Sequence, residues 1–344
     1  MDMKCAVFHG VKDIRIEQRT LRALAPDECL IRVEACGICG TDIHAYLGET
    51  TYVTRPIVLG HEFSGRIESI GTEISRFQSG DRVTVEPNVE CGMCRYCREG
   101  NVRLCQDNRP YGINRDGAFA EYMIARQDRI FAIPDGLSYE EAAFVEPVSN
   151  VVNGVDLAEI RPGQAVVVFG GGPAGLQFVQ LAKAAGADPL VLVTRGLWKR
   201  ELAIQLGADH VLSPKEVDVG QEVMRLTGGY GAHTAIEAVG GGFAVEQCFS
   251  LIKIGGRVIV YGVPPESDKF SIPAFNFLTH GKRILSCWLN PFCFERTIDI
   301  LAKKIVNVRP LVTHQFGLNE ITEGFETMIR KPEGFIKAQV LPWN

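Results

Sequence analysis

Through the first third of the chain, hydrophobic and polar positions alternate with a period of two. Residues 29–35, 63–70 and 82–85 put every second side chain on one face and are punctuated by glycines, the pattern of half-buried strands in an irregular β domain. Near Glu140 the texture changes. Residues 139–143 open a helical stretch behind Ser138, a residue type suited to an N-cap, and predict a domain boundary near residue 150. Beyond it, apolar runs at 165–169, 190–194, 233–238 and 257–262 are separated by helical patterns such as 175–185 and 199–206. Strands alternating with helices of that length predict an α/β domain with a doubly wound parallel sheet. From about Leu285 this rhythm is lost; residues 297–304 read as a helix, and the tail is expected to return to the first domain. The predicted organisation is 1–150 completed by 286–344, with 151–285 as the second domain.

A chain of 344 residues is long enough for two domains, and 46% hydrophobic with 22% charged residues is an ordinary folded composition. The net charge of -5 offers no basic surface for phosphates, so a nucleic-acid partner is not expected. The N-terminus lacks a signal-peptide pattern, and the longest apolar runs fall far short of the roughly 20 residues needed to span a bilayer. No membrane partner is expected, and a cytoplasmic location is. Of the eleven cysteines, four cluster at short spacing, which favours metal ligation over a disulfide framework.

Residues 166–175, VVVFGGGPAG, place a G-x-G-x-x-G pattern between a buried strand and a helix. Gly170, Gly172, Pro173, Ala174 and Gly175 then offer open backbone and a helix N-terminus to a pyrophosphate. About 20 residues further on, NAD-binding folds carry an acid for the ribose 2′-hydroxyl. Here the chain reads Thr194-Arg195-Gly196-Leu197-Trp198-Lys199-Arg200 instead. Cations at that place suit a 2′-phosphate, so NADP is favoured and NAD is the alternative.

Two groups of metal ligands stand out. Cys91, Cys94, Cys97 and Cys105 have the spacing C-x2-C-x2-C-x7-C, which can close an S4 site with no open position. A structural zinc is expected there, with an iron–sulfur cluster as the rival. The second group is dispersed: Cys36-Gly37-Ile38-Cys39-Gly40-Thr41-Asp42-Ile43-His44, then Gly60-His61-Glu62, then Glu146-Pro147. A thiolate, an imidazole and one or two carboxylates form a zinc ligand set that leaves a coordination position open.

With the motif Gly60-His61-Glu62-x2-Gly65-x5-Gly71-x2-Ile74, the run Gly80-Asp81-Arg82-Val83, the four-cysteine loop and the dinucleotide fingerprint in this order, the sequence resembles the zinc-containing medium-chain alcohol dehydrogenases over essentially its whole length. It is most similar to their sorbitol, polyol and threonine dehydrogenase branch. The resemblance implies a GroES-like catalytic domain and a Rossmann cofactor domain. It implies two zinc ions per chain: a structural one, and a catalytic one on Cys39 and His61, with Glu62 as the next ligand and Glu146 binding directly or through a water. Glu146-Pro147, where other members have a cysteine, points to the polyol and threonine branch. Zinc would acidify a bound alcohol, hydride would leave for the nicotinamide, and Thr41 and His44 match the family's proton relay. By the same resemblance a homodimer or homotetramer is expected.

The tail Val306-Asn307-Val308-Arg309-Pro310 is similar to that of sorbitol dehydrogenases, but the Arg-Tyr pair those enzymes place around the substrate is not evident. Tyr46, Trp288, Asn290 and Phe292 are the candidates to line the pocket. The expected substrate is a polyhydroxylated secondary alcohol or sugar derivative, oxidised to a ketone. The alternatives are a threonine or amino-alcohol dehydrogenase and, from another class, a catalytically silent NADP-binding protein.

Overall fold

Alternation in the first third of the chain becomes strand structure because it lets each strand bury one face. The computed structural model describes residues 1–50 and 52–344. Its first strands are β1 (Asp2–Gly10), β2 (Asp13–Thr20), β3 (Glu28–Gly37), β4 (Ile57–Val58), β5 (Glu62–Ile70), β6 (Arg82–Val85), β7 (Tyr122–Arg126) and β8 (Ile130–Ala132). Strands β2, β1 and β4 form a small sheet. Phe8, Ile31, Phe63, Ile67 and Phe119 are fully buried in the core between these strands.

Six further strands follow: β9 (Val166–Phe169), β10 (Leu190–Val193), β11 (His210–Leu212), β12 (Ala232–Glu237), β13 (Ile252–Val260) and β14 (Arg283–Ser286). They form one sheet in the order β11-β10-β9-β12-β13-β14, and every pair is parallel. This is the doubly wound dinucleotide order, with its switch point between β9 and β12. All four residues of β10 are buried, as a strand covered on both faces requires. β11 and β14 are short and carry no alternation, so periodicity alone does not reveal them.

The tail adds β15 (Val312–Gly317) and β16 (Lys337–Leu341) to the larger sheet of the first part, in the order β15-β16-β3-β5-β6-β8, with β7 on β3. Two units result: Met1–Pro147 with Phe294–Lys303 and Val308–Asn344, and Val148–Cys293 with Lys304–Asn307. The return comes at Phe294 rather than 286. Residues 287–293 stay with the second unit because the Cys287 amide donates to Val260 O, Asn153 Nδ2 donates to Leu289 O at 2.7 Å, and Asn290 Nδ2 donates to Ser149 Oγ at 2.5 Å. No helix among the described residues is long and apolar enough to cross a membrane.

Candidate active site

Three neighbouring strands bring the dispersed ligands together. Gly37, the last residue of β3, pairs with Glu62, the first of β5, while β16 runs along the other side of β3 with Gln339 opposite Gly37. Cys39 therefore leaves the sheet where Glu62 enters it and where Lys337 begins β16. Cys39 is the N-cap of the helix Gly40–Leu47, and its amide donates to Asp42 Oδ2 at 2.9 Å. One ligand atom from each of Cys39, His61 and Glu62 lies within 4.8 Å of the others. Gly37 makes the room: a Cβ there would stand 2.2 Å from Glu62 Oε2 and 3.2 Å from Lys337 Cε.

Polar groups in this site are costly as they stand. His61 and Glu62 are buried, and Asp42 is fully so. His61 Nδ1 and Asp42 Oδ1, 3.7 Å apart, have no hydrogen-bond partner among the described residues. Leaving such groups unpaired costs about 1–3 kcal/mol each. Burial works against charge on His61, but the Cys39 thiolate and the Asp42 carboxylate outweigh it and push the imidazole well above its ordinary range. Burial raises the Cys39 thiol, with the Glu62 carboxylate adding to it and His61 opposing it. A borderline-soft dication suits this set: it replaces the missing partners, and it makes ionised sulfur and neutral imidazole the stable forms.

Glu146 is buried in the first turn of the helix Val145–Ala158. It acts electrostatically on His61 and Lys337 yet stands outside the three-ligand group. Thr41 Oγ1 is 3.7 Å from Cys39 Sγ, and His44 is exposed on the same helix.

Cys91, Cys94, Cys97 and Cys105 also converge, each offering a sulfur within 4.8 Å of the rest. Main-chain amides point at these sulfurs: those of Met93 and Cys94 donate to Cys91 Sγ at 3.4 and 3.3 Å, and that of Cys91 to Cys105 Sγ at 3.3 Å. Amides of Cys97 and Gln106 lower the Cys94 thiol to about 6. Burial and its neighbouring thiols push Cys97 up to about 12. A loop that stabilises some thiolates and penalises others without a cation fits a tetrahedral S4 metal site.

In the second unit, Gly172 caps the helix Pro173–Ala184, with Pro173 in its first turn. Gly175 must be glycine, because a Cβ there would lie 1.8 Å from Gly170 O. Ala174 follows Pro173 in that first turn, and Thr194 is buried at the end of β10. Of the cations beyond it, Lys199 Nζ donates to Gly171 O at 2.8 Å, at the glycine turn itself. Arg195 is exposed, with no ion pair among the described residues. Arg200 is held elsewhere, donating to Glu216 Oε2 at 2.5 Å.

The pocket candidates separate. Tyr46 is buried: its ring meets Phe325 edge-on at 5.3 Å and its hydroxyl donates to Glu326 at 3.2 Å. Asn290, 1% exposed, is the anchor to Ser149 described above and not an open contact. Trp288 and Phe292 are exposed on the same segment, where Leu289 and Phe292 both adopt positive φ, 57° and 59°. Sequence reasoning missed Lys337 and Asp42. Asp42 has a signal, three residues after the N-cap; Lys337, the first residue of the strand KAQVL, has none.

Two family models match this chain: "Alcohol dehydrogenase GroES-like domain" over residues 25–135 and "Zinc-binding dehydrogenase" over 173–303. The sorbitol dehydrogenase of Bacillus subtilis (strain 168) is 34% identical, over 99% of this chain and 98% of its own. The L-threonine 3-dehydrogenase of Pyrococcus horikoshii is 35% identical over 88% of each chain. Among solved structures, a Sinorhizobium meliloti 1021 chain designated a zinc-binding dehydrogenase, bound to NADP, superposes with a TM-score of 0.95 at 36% identity, covering 99% of this chain and all of that one. With its GroES-like β unit, its Rossmann sheet and its full-length likeness to these enzymes, the chain belongs to the zinc-binding medium-chain alcohol dehydrogenases, in the sorbitol, polyol and threonine dehydrogenase branch, and is an NAD(P)-dependent oxidoreductase.

Proposed function

We propose that this dehydrogenase oxidises a polyhydroxylated secondary alcohol or sugar derivative to its ketone, with the first unit as the catalytic domain and the second as the cofactor domain. The observation that carries the reading is the buried convergence of Cys39, His61 and Glu62. These three residues, with Glu146 directly or through a water, would hold a catalytic zinc, and the four-cysteine loop a second, structural one. When bound, the catalytic ion supplies Lewis acidity that lowers the pKa of an alcohol, and the nicotinamide supplies the hydride acceptor. The chain's own residues orient and exclude. Asp42 stands where a carboxylate orients a metal-binding imidazole, Lys337 neutralises Glu62, and Thr41 and His44 carry the alcohol's proton toward solvent.

NADP is the favoured cofactor, supported by Arg195, by Lys199 at the glycine turn, and by the NADP in the similar S. meliloti structure. A homodimer or homotetramer is the expected assembly, supported by β14, the edge strand of the parallel sheet, and by exposed Phe243, Phe275 and Leu278 in the same unit.

A panel of D-sorbitol, other polyols, simple primary alcohols and L-threonine with both cofactors tests the substrate class. Polyol turnover is expected; activity confined to primary alcohols rejects it. Turnover of L-threonine alone establishes the second reading, which the likeness to threonine dehydrogenases supports. Metal analysis should give two zinc ions per chain, falling to one in Cys97→Ser.

A further inference from the structure

We propose that Glu49 is a positioning residue for His44, holding the proton of that imidazole on Nδ1 and leaving Nε2 as the acceptor at the outer end of the proton relay. The inference rests on the relay role assigned to His44 above.

One turn delivers the arrangement. The helix Gly40–Leu47 ends on Gly48, in the left-handed region at φ 76°, where a Cβ would lie 2.6 Å from Val11 Cγ2. That residue reverses the chain, so the Glu49 amide donates to the His44 carbonyl at 2.8 Å. The same reversal brings Glu49 Oε2 to 2.5 Å from His44 Nδ1. Two bonds, one main-chain and one side-chain, thus tie Glu49 to a single residue five positions earlier.

Chemistry fixes the direction of the second bond. An ionised carboxylate has no proton to give, so Nδ1 is the donor. A neutral imidazole protonated on Nδ1 carries its lone pair on Nε2. The hand-off then balances. Nε2 takes the alcohol's proton, the ring becomes a cation beside the Glu49 carboxylate, and Nε2 releases that proton to water, which restores the starting tautomer. Both side chains are about half exposed, at 49% and 53%, so water reaches the ring directly.

The test uses zinc-loaded protein, wild type and with Glu49→Gln, Glu49→Asp and His44→Gln. Two-bond 1H–15N spectra read the His44 tautomer without substrate, and turnover of D-sorbitol, or of the polyol that the panel shows to be faster, reads kcat and KM. The proposal expects an Nδ1–H tautomer in wild type and Glu49→Asp and mixed tautomers in Glu49→Gln, with kcat down about two- to fivefold, the range of an exposed ion pair, at unchanged KM. If His44→Gln lowers kcat tenfold or more while Glu49→Gln changes neither tautomer nor kcat, the role of Glu49 is overturned and the relay stands. If His44→Gln leaves kcat unchanged, the relay reading falls and this inference with it.

Discussion

Lys337 Nζ stands 2.5 Å from Glu62 Oε2, and both side chains are buried beside Cys39. Burial disfavours the ammonium, yet the Glu62 carboxylate and the Cys39 thiolate outweigh it and raise Lys337 above its ordinary value. The two anions thus keep Lys337 charged in a place where burial alone works against its charge.

Removing the cation should therefore expose the carboxylate. Breaking a buried pair by deleting one partner costs about 3–5 kcal/mol. Lys337→Met is expected to lose stability of that order without metal, and less with zinc, because the ion takes over the charge of Glu62. Melting curves with and without zinc check this: the zinc-induced rise in Tm should be larger in the variant than in the wild type. Equal rises would show that Glu62 does not face the ion.

Glu86 gives a pH dependence with a definite sign. It is buried, and burial lifts its carboxyl to about 7, against the pull of Arg129 at 3.7 Å and with Glu90 and Glu146 adding to the lift. A carboxyl whose folded pKa lies above its unfolded value stabilises the fold below the unfolded pKa and loses that contribution as pH rises through the folded one. The window runs from about 4.5 to about 7. Glu86→Gln should accordingly gain on the order of 2–3 kcal/mol relative to wild type between pH 5 and pH 8, seen as a few degrees in the Tm difference. A constant Tm difference across that range would refute it.

Much of this molecule is readable from its residues, for reasons that differ by element. That Cys39, His61 and Glu62 form one candidate group is legible because few residue types bind zinc, and the glycine fingerprint because a helix N-terminus and close backbone packing demand it. Strands β11 and β14 are not, since three or four residues hold no period. Lys337 meets Glu62 across 275 positions of chain through the pairing of β16 with β3, a long-range register that local pattern does not encode. Tyr46 and Asn290 show what residue type leaves out. Each is a residue type suited to a pocket, but an available partner, Glu326 or Ser149, takes its polar group inward.

Cofactor choice should follow the cation that is free to move. Arg200 is paired with Glu216, while Arg195 is exposed on the loop after β10. A charge-assisted hydrogen bond is worth about 1.5–3 kcal/mol, or roughly ten- to a hundredfold in affinity. Arg195→Ala is expected to raise the Kd for NADP by about that factor and to leave NAD nearly unchanged, whereas Arg200→Ala should change both little. Fluorescence titration of each variant with NADPH and NADH measures the ratio. An unaltered NADPH affinity in Arg195→Ala would remove the assignment.

Assembly is testable at the far edge of the parallel sheet. Among the described residues β14 pairs with β13 alone, so its outer edge is open, and an exposed edge of this kind is a template for another chain. Apolar surface accompanies it: Phe275 is 76% and Leu278 78% exposed on the helix Ala274–Thr279, which precedes that strand. Side chains so exposed in water bring no stability to a lone chain, and burying each against a partner is worth about 1.5–3 kcal/mol. The double substitution Phe275→Glu and Leu278→Glu places like charges where two copies would meet. Light scattering coupled to size exclusion should find an oligomer for the wild type and the monomer mass for the variant, with the Cys39, His61 and Glu62 site and its zinc retained. A variant that keeps the wild-type mass would move the interface away from this helix.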